Sequence, residues 1–200
     1  MFSKYNLSCA QVLVTEDDLS EDANLAQIRD TTMELLAFGT IPIINDNDAV
    51  TARSVPVVDD ETEEIRFDND SLSAVIASAL RADLLVMLTD IDGLYAAPGP
   101  GRTEPSRLAL YRAGVPLARD GIVDTSHWIL SDNGRGKFAG RTRLSAEGLD
   151  TLVEAALSAV AGGVRATVVT SGFNPLALLR LLRGEDVGTV FTPQGPQARL

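Results

Sequence analysis

Two hundred residues with 45% hydrophobic content suffice for one substantial core, and the length favours a single domain over residues 1–200. A net charge of −11, from 17 Lys and Arg against 28 Asp and Glu, argues against a nucleic-acid partner, whose phosphates demand a broad basic face. One cysteine, Cys9, and one histidine, His127, exclude an internal disulfide and the usual Cys/His metal clusters, and no apolar run is long enough for a membrane span or a signal peptide, so a reducing, cytosol-like setting is expected.

Taken in order, Ala10-Gln-Val-Leu-Val-Thr15 has the apolar, β-branched character of a first strand. Ser20-Glu-Asp-Ala offers a cap and acidic first turn for a helix running to about Phe38, with Gly39 as its stop. Thr40-Ile-Pro-Ile-Ile44 predicts a second strand, followed at once by the acid-amide cluster Asn45-Asp46-Asn47-Asp48. Ser54-Val-Pro-Val-Val58 and the acidic run after it predict an exposed hairpin or flap, placed at a sheet edge by its proline. A second cluster, Asp68-Asn69-Asp70, stands before a helix whose apolar positions Leu72, Val75, Ile76, Ala79 and Leu80 share one face. The helix start falls near Asp70, whose carboxylate either caps the first turn or leaves its N–H groups to a ligand.

Leu84-Leu-Val-Met-Leu-Thr89 is a continuous apolar run of the kind covered on both faces, which predicts the central strand. It ends in Asp90-Ile-Asp92-Gly93, a sharp polar turn, and the Pro- and Gly-rich residues 96–107 read as loop. Residues 108–141 have weak periodicity and many glycines, and predict a mobile loop. A long helix follows from Thr142 to Gly162-Gly163, then a buried strand over 164–170, a short helix over 175–183 and a last strand over 187–191. The alternation predicts an α/β fold with a mostly parallel sheet sandwiched by helices.

The clusters at 45–48 and 68–70 fall at a strand end and a helix start, where ligands collect in open α/β sheets. Carboxylates and amides together suit a small zwitterion, with carboxylates for its ammonium and amides and helix N–H groups for its carboxylate; a pair of Asx turns is the plainer alternative. A calcium loop is disfavoured, because neither Asp46-Asn-Asp48 nor Asp90-Ile-Asp92-Gly93 has a Glu at the twelfth position. Gly134-Arg-Gly-Lys-Phe-Ala-Gly-Arg-Thr-Arg143 joins flexible glycines and four cations to a helix start, the ingredients of a phosphate cradle or simply of a solvated basic loop. Thr89-Asp90, at the end of an apolar strand, is open to a capping role as well as to a binding one.

These stretches, with Leu88-Thr-Asp-Ile-Asp-Gly-Leu-Tyr95 and Gly184-Glu-Asp-Val-Gly-Thr-Val-Phe191, resemble glutamate 5-kinase of the amino acid kinase superfamily. The opening Tyr5-Asn-Leu-Ser-Cys-Ala-Gln-Val-Leu-Val-Thr15 looks most like the kinase domain of animal Δ1-pyrroline-5-carboxylate synthase. The resemblance spans nearly the whole chain and implies the three-layer sandwich of that superfamily. It further implies ATP-dependent phosphorylation of the glutamate side-chain carboxylate, the first step of proline synthesis, with Mg2+ carried by the nucleotide and no protein-held metal.

By the same resemblance Asn45, Asp48 and Asn69 contact L-glutamate, Asp70 orients the phosphate-binding lysines, and Thr89 and Asp90 meet the nucleotide. Lys137, Gly140, Arg141, Thr142 and Arg143 fall on the phosphate loop, with Arg143 in a catalytic position. Here the chain departs from the family run Gly-Thr-Gly-Gly-Met-x-Thr-Lys: Phe138 and Ala139 replace glycines, Gly140 a methionine and Arg143 a lysine, which keeps the charge but not the point geometry of an ammonium. The family also begins with a strand, a lysine and a glycine-rich turn well upstream of Asn45, where this chain has 44 residues, so the first βα units are expected to be missing. An uncovered sheet edge then predicts a homo-oligomer. The rival expectation is a catalytically impaired glutamate- or nucleotide-binding relative that acts as a regulatory or assembly subunit. The compartment implied is the cytoplasm, or the mitochondrion if the chain derives from a fused synthase.

Overall fold

The computed structural model describes residues 2–47, 68–96, 106–112 and 146–193. The chain divides into two compact units, residues 1–80 and 81–200.

In the first unit a 3-10 turn at Phe2–Tyr5 leads into β1 (Ser8–Val14), which pairs in parallel with β2 (Thr40–Asp46) in a register that sets Val14 against Asp46. Two helices make the crossover, and they correct the expected start at Ser20. Thr15 caps a short α1 (Glu16–Ser20): its hydroxyl accepts from Asp18 N–H while the Asp18 carboxylate accepts from Thr15 N–H, a reciprocal box that the spacing of Thr15 and Asp18 makes possible. Glu21 is extended and breaks the run, and α2 (Asp22–Ala37) begins after it. Gly39 ends the crossover at φ +69, as its position in the sequence implies.

The third helix, α3 (Asn69–Ala79), buries Leu72, Ala74, Ile76 and Ala77. Leu72 and Ile76 meet Val14 and Leu19 in the core of this unit, with Val12, Leu25, Ile28, Ile44, Val75 and Leu80 packed around them. Strand alternation puts Val12, Val14 and Ile44 on the helix side, whereas Leu13, Ile41 and Ile43 lie on the exposed side.

In the second unit the sheet order is β3-β7-β8-β6, formed by β3 (Leu84–Thr89), β6 (Leu110–Arg112), β7 (Ala166–Ser171) and β8 (Thr189–Thr192). β3–β7 and β6–β8 are parallel and β7–β8 is antiparallel. The expectation of a central β3 is corrected: among the described residues it ends this sheet, and Leu88 is 51% exposed. The strand buried along nearly its whole length is β7, where residues 166–170 are all inaccessible. An apolar run reports coverage of a strand's faces and carries no information about its lateral neighbours.

Two further corrections concern the stretches read as loop. β4 (Tyr95–Ala96) and β5 (Ser106–Arg107) form an antiparallel pair, and β6 lies in the segment expected to be mobile. α4 (Ala146–Ala161) packs on β7 and β8 through Leu149, Leu152, Val153, Ala156 and Val160 and stops at Gly162-Gly163, the latter at φ +104. α5 (Ala177–Leu182) is the expected short helix before β8. The segment of the expected 54–64 flap lies outside the described residues.

β8 approaches β7 so closely at one point that only glycine fits. A Cβ on Gly188, at φ +72, would stand 2.3 Å from the Val169 carbonyl oxygen and 2.9 Å from Thr170 Cβ. Gly184 has a similar φ of +74 with nothing within 4 Å. Gly188→Ala is therefore expected to destabilise the protein by about 3 kcal/mol or more, and Gly184→Ala by about 1–2 kcal/mol from backbone strain alone. Urea unfolding of the two variants measures the difference, and equal losses would show that the approach at Gly188 yields at little cost.

Candidate functional site

The first cluster of candidate groups sits where β2 ends and α3 begins. Asn47 N–H bonds the Val14 carbonyl at 2.8 Å, which fixes the strand exit beside the end of β1. Strand parity then separates the polar side chains: Asp46 continues the helix-facing series of Ile44, and Asn45 continues the exposed series of Ile41 and Ile43. Asn45 pairs with Leu13 in register, so the expected glutamate contact lies on the face opposite the α3 core. Asp48 lies outside the described residues.

At the start of α3 the cap is Asp68, which decides the alternative left open for Asp70: the Asp68 carboxylate accepts the Ser71 N–H at 2.8 Å. Asp70 is thereby released from capping. It is half-buried in the first turn, and among the described residues no donor reaches its carboxylate. Burial, with the neighbouring Asp68 charge second, pushes the Asp70 carboxyl above its ordinary value. Asn69, beside it, is exposed. A carboxylate held against its own desolvation cost, next to a second carboxylate, suits a cationic ligand group.

The second cluster lies at the carboxyl ends of β3 and β7 in the other unit. Thr89 and Ser171 are register partners, and Gly172 N–H donates to the Thr89 carbonyl at 2.7 Å. The Thr89 hydroxyl donates to the Asp90 carboxylate at 3.2 Å, so these two residues form one polar group at the strand end. Beyond it Ile91 and Leu94 plunge into the core, while the Tyr95 hydroxyl bonds both carboxylate oxygens of Asp92 at 3.1 Å. Sequence reasoning assigned no part to Asp92 and Tyr95, although their spacing across a Gly turn carries that signal. Lys137, Gly140, Arg141, Thr142 and Arg143 lie outside the described residues, as do His127 and Trp128.

The sequence profile of the amino acid kinase family matches residues 1–171. The chain is 39% identical over 196 residues to glutamate 5-kinase of Methylococcus capsulatus, covering 96% of this chain and 45% of that protein. It is 36% identical over 191 residues to Δ1-pyrroline-5-carboxylate synthase of Solanum lycopersicum, covering 96% of this chain and 24% of that protein. The chain thus spans less than half the length of these two relatives. Among solved structures, the fold resembles isopentenyl phosphate kinase of T. acidophilum, with a TM-score of 0.51 at 13% identity over 94% of this chain and 62% of that one. It likewise resembles UMP kinase of Bacillus anthracis, with a TM-score of 0.51 at 14% identity over 96% of this chain and 61% of that one. At such identity these two carry the α/β fold alone.

The raised Asp70 carboxyl has a consequence for stability. The folded state holds its proton more tightly than the unfolded chain does, so this residue's contribution is most favourable below its ordinary value of 3.8 and is lost as the pH rises through the folded value. At neutral pH ionised Asp70 opposes folding. Asp70→Asn is expected to raise the unfolding midpoint at pH 7, with the gain vanishing below about pH 4. Thermal melts of both proteins across pH 3–8 check this, and a midpoint lowered at pH 7 would show that Asp70 is stabilised by a cation in the free protein.

Proposed function

The chain belongs to the amino acid kinase family, and from that premise we propose that it serves ATP-dependent phosphorylation of the L-glutamate side-chain carboxylate to γ-glutamyl phosphate. The observation that carries the reading is the in-order likeness to glutamate 5-kinases along 96% of the chain, together with acid-amide groups at the end of β2 and the start of α3. Glutamate is then the ligand of Asn45, Asp48 and Asn69 in the first unit. ATP is the ligand of Thr89 and Asp90 in the second unit and of the cations and glycines at Lys137, Gly140, Arg141, Thr142 and Arg143. The setting proposed is cytoplasmic.

The chemistry asks little covalent help from the protein. The acceptor carboxylate is already a nucleophile at neutral pH, so no general base is required, and the γ-phosphoryl group passes between two oxygens. What the site must supply is position and positive charge. Arg143 and Lys137 bring that charge to the phosphates, and Asp70 has the part of orienting phosphate-binding lysine ammonium groups. Its position supports this role: a half-buried carboxylate without a capping duty, raised by burial, gains most from a cation beside it. Mg2+, carried by the nucleotide, would supply further charge neutralisation at the phosphates.

Trapping of the acyl phosphate as a hydroxamate tests the function. Asp70→Asn is expected to lower turnover by about 10²-fold with little change in the glutamate KM, because its part is in orienting charge during transfer. Asp48→Ala and Asn69→Ala are expected to raise the glutamate KM and to leave Mg-ATP binding in place. Full hydroxamate formation by the Asp70→Asn variant would remove Asp70 from the reaction. Absence of any product from the intact chain, with both ligands still bound, would favour the regulatory or assembly role.

A further inference from the structure

The turn that carries Thr89 and Asp90 is fixed at both ends. At its start Gly172 N–H holds the Thr89 carbonyl at 2.7 Å. At its finish the Leu94 N–H donates to the Thr189 hydroxyl at 2.8 Å, a buried bond between residues 95 positions apart. That hydroxyl in turn donates to the Leu108 carbonyl at 2.6 Å, and Leu108 N–H donates to the Leu94 carbonyl at 2.7 Å. One side-chain oxygen therefore closes a ring of three bonds that joins the turn, Leu108 in the link between β5 and β6, and the first residue of β8.

Among the described residues the Thr189 hydroxyl is the acceptor that Leu94 N–H finds. Thr189 and Leu94 are both fully buried, so removing the hydroxyl leaves the Leu94 N–H unsatisfied in the closed state and favours its opening to solvent. Gly93, at φ +146, packs so closely that a Cβ would meet Thr189 Oγ1 at 2.9 Å and the Gly188 carbonyl carbon at 3.2 Å. β8 is itself positioned from two sides. Gly188 presses on the Val169 carbonyl, and Arg107 donates to the Gly188 carbonyl and pairs with Asp186 at 2.9 Å. The turn from 90 to 94 is thus registered against the rigid β7–β8 pair through Thr189.

We propose that Thr189 is a positioning residue for the nucleotide: its hydroxyl sets the turn that presents Thr89 and Asp90, and the reading of those two residues as nucleotide contacts is the premise on which this rests. A purely structural threonine would need only its volume and methyl group. A positioning threonine needs an oxygen that accepts from one amide and donates to one carbonyl, which serine has, valine lacks and cysteine performs weakly.

The experiment is calorimetric titration of the full chain with Mg-ADP and, separately, with L-glutamate, together with hydrogen exchange at Leu94. Thr189→Val is expected to weaken Mg-ADP about tenfold, the size of one lost hydrogen bond. Leu94 exchange should speed up, L-glutamate affinity should be unchanged, and Thr189→Ser should restore Mg-ADP binding to near that of the natural chain. Should Thr189→Val fail to fold, Thr189→Cys keeps the volume and is read in the same way. Unchanged Mg-ADP affinity in the Val or Cys variant despite faster Leu94 exchange overturns the inference, as does equal loss in the Ser and Val variants. A natural chain that binds no Mg-ADP overturns the kinase reading itself, and this assignment with it; a natural chain that binds while the variants bind equally overturns the positioning role alone.

Discussion

The contact between the Val169 carbonyl and the bare Cα of Gly188 is the constraint on which the second unit depends. β7 is the strand with no solvent on either face over residues 166–170, and an antiparallel partner laid against it must satisfy its backbone groups without displacing its side chains. A glycine at φ +72 lets β8 bend into that position. Because β8 is placed by this approach, everything hung on β8 is placed with it: the parallel pairing to β6, the Tyr111–Phe191 ring contact at 5.4 Å, and the hydroxyl of Thr189. Burial of Phe191, which is wholly inaccessible, contributes the apolar free energy that holds the strand there.

The first unit works on a different principle. Its core is small and one-sided, with Val14, Leu19, Leu72 and Ile76 at the centre, and the same packing that buries Leu72 draws Asp70 partly out of water two residues earlier. Desolvation of a carboxylate is unfavourable unless something answers the charge. Here the helix cap is assigned to Asp68, and among the described residues no donor is set against the Asp70 carboxylate. At neutral pH the ionised form of Asp70 therefore works against the stability of this unit.

Much of this was legible in the residues. β1, β2, α3 and α4 announced themselves by apolar periodicity, and Gly39 and Gly162-Gly163 marked where helices stop. The two acid-amide clusters were visible as dense polar groups at element ends. What escaped has identifiable causes. Asp68, Asn69 and Asp70 are all competent caps, so composition alone does not choose among them, and the choice falls to the phase of Leu72 and Ile76 in the core. β4, β5 and β6 have two or three residues each, too few for any period to show. The lateral position of β3 depends on partners far along the chain. The tie between Leu94 and Thr189 spans 95 positions, and a threonine within a strand looks the same whether its hydroxyl bridges two segments or none.

The alternation in β2 has a bearing on how this chain tolerates change of length. Asn45 and Asp46 are chemically close and adjacent, yet they belong to opposite faces of the strand because the register with β1 is fixed at Val14 and Asp46. Deleting or inserting a single residue between Thr40 and Ile44 would exchange the amide and the acid between faces and turn Ile44 out of the core at the same stroke. A change of two would preserve both. The chemistry at the end of this strand is therefore guarded by a rule of even numbers, and variation in this part of the molecule should be sought as substitutions or paired indels, with odd-length changes confined to the connections outside the strands.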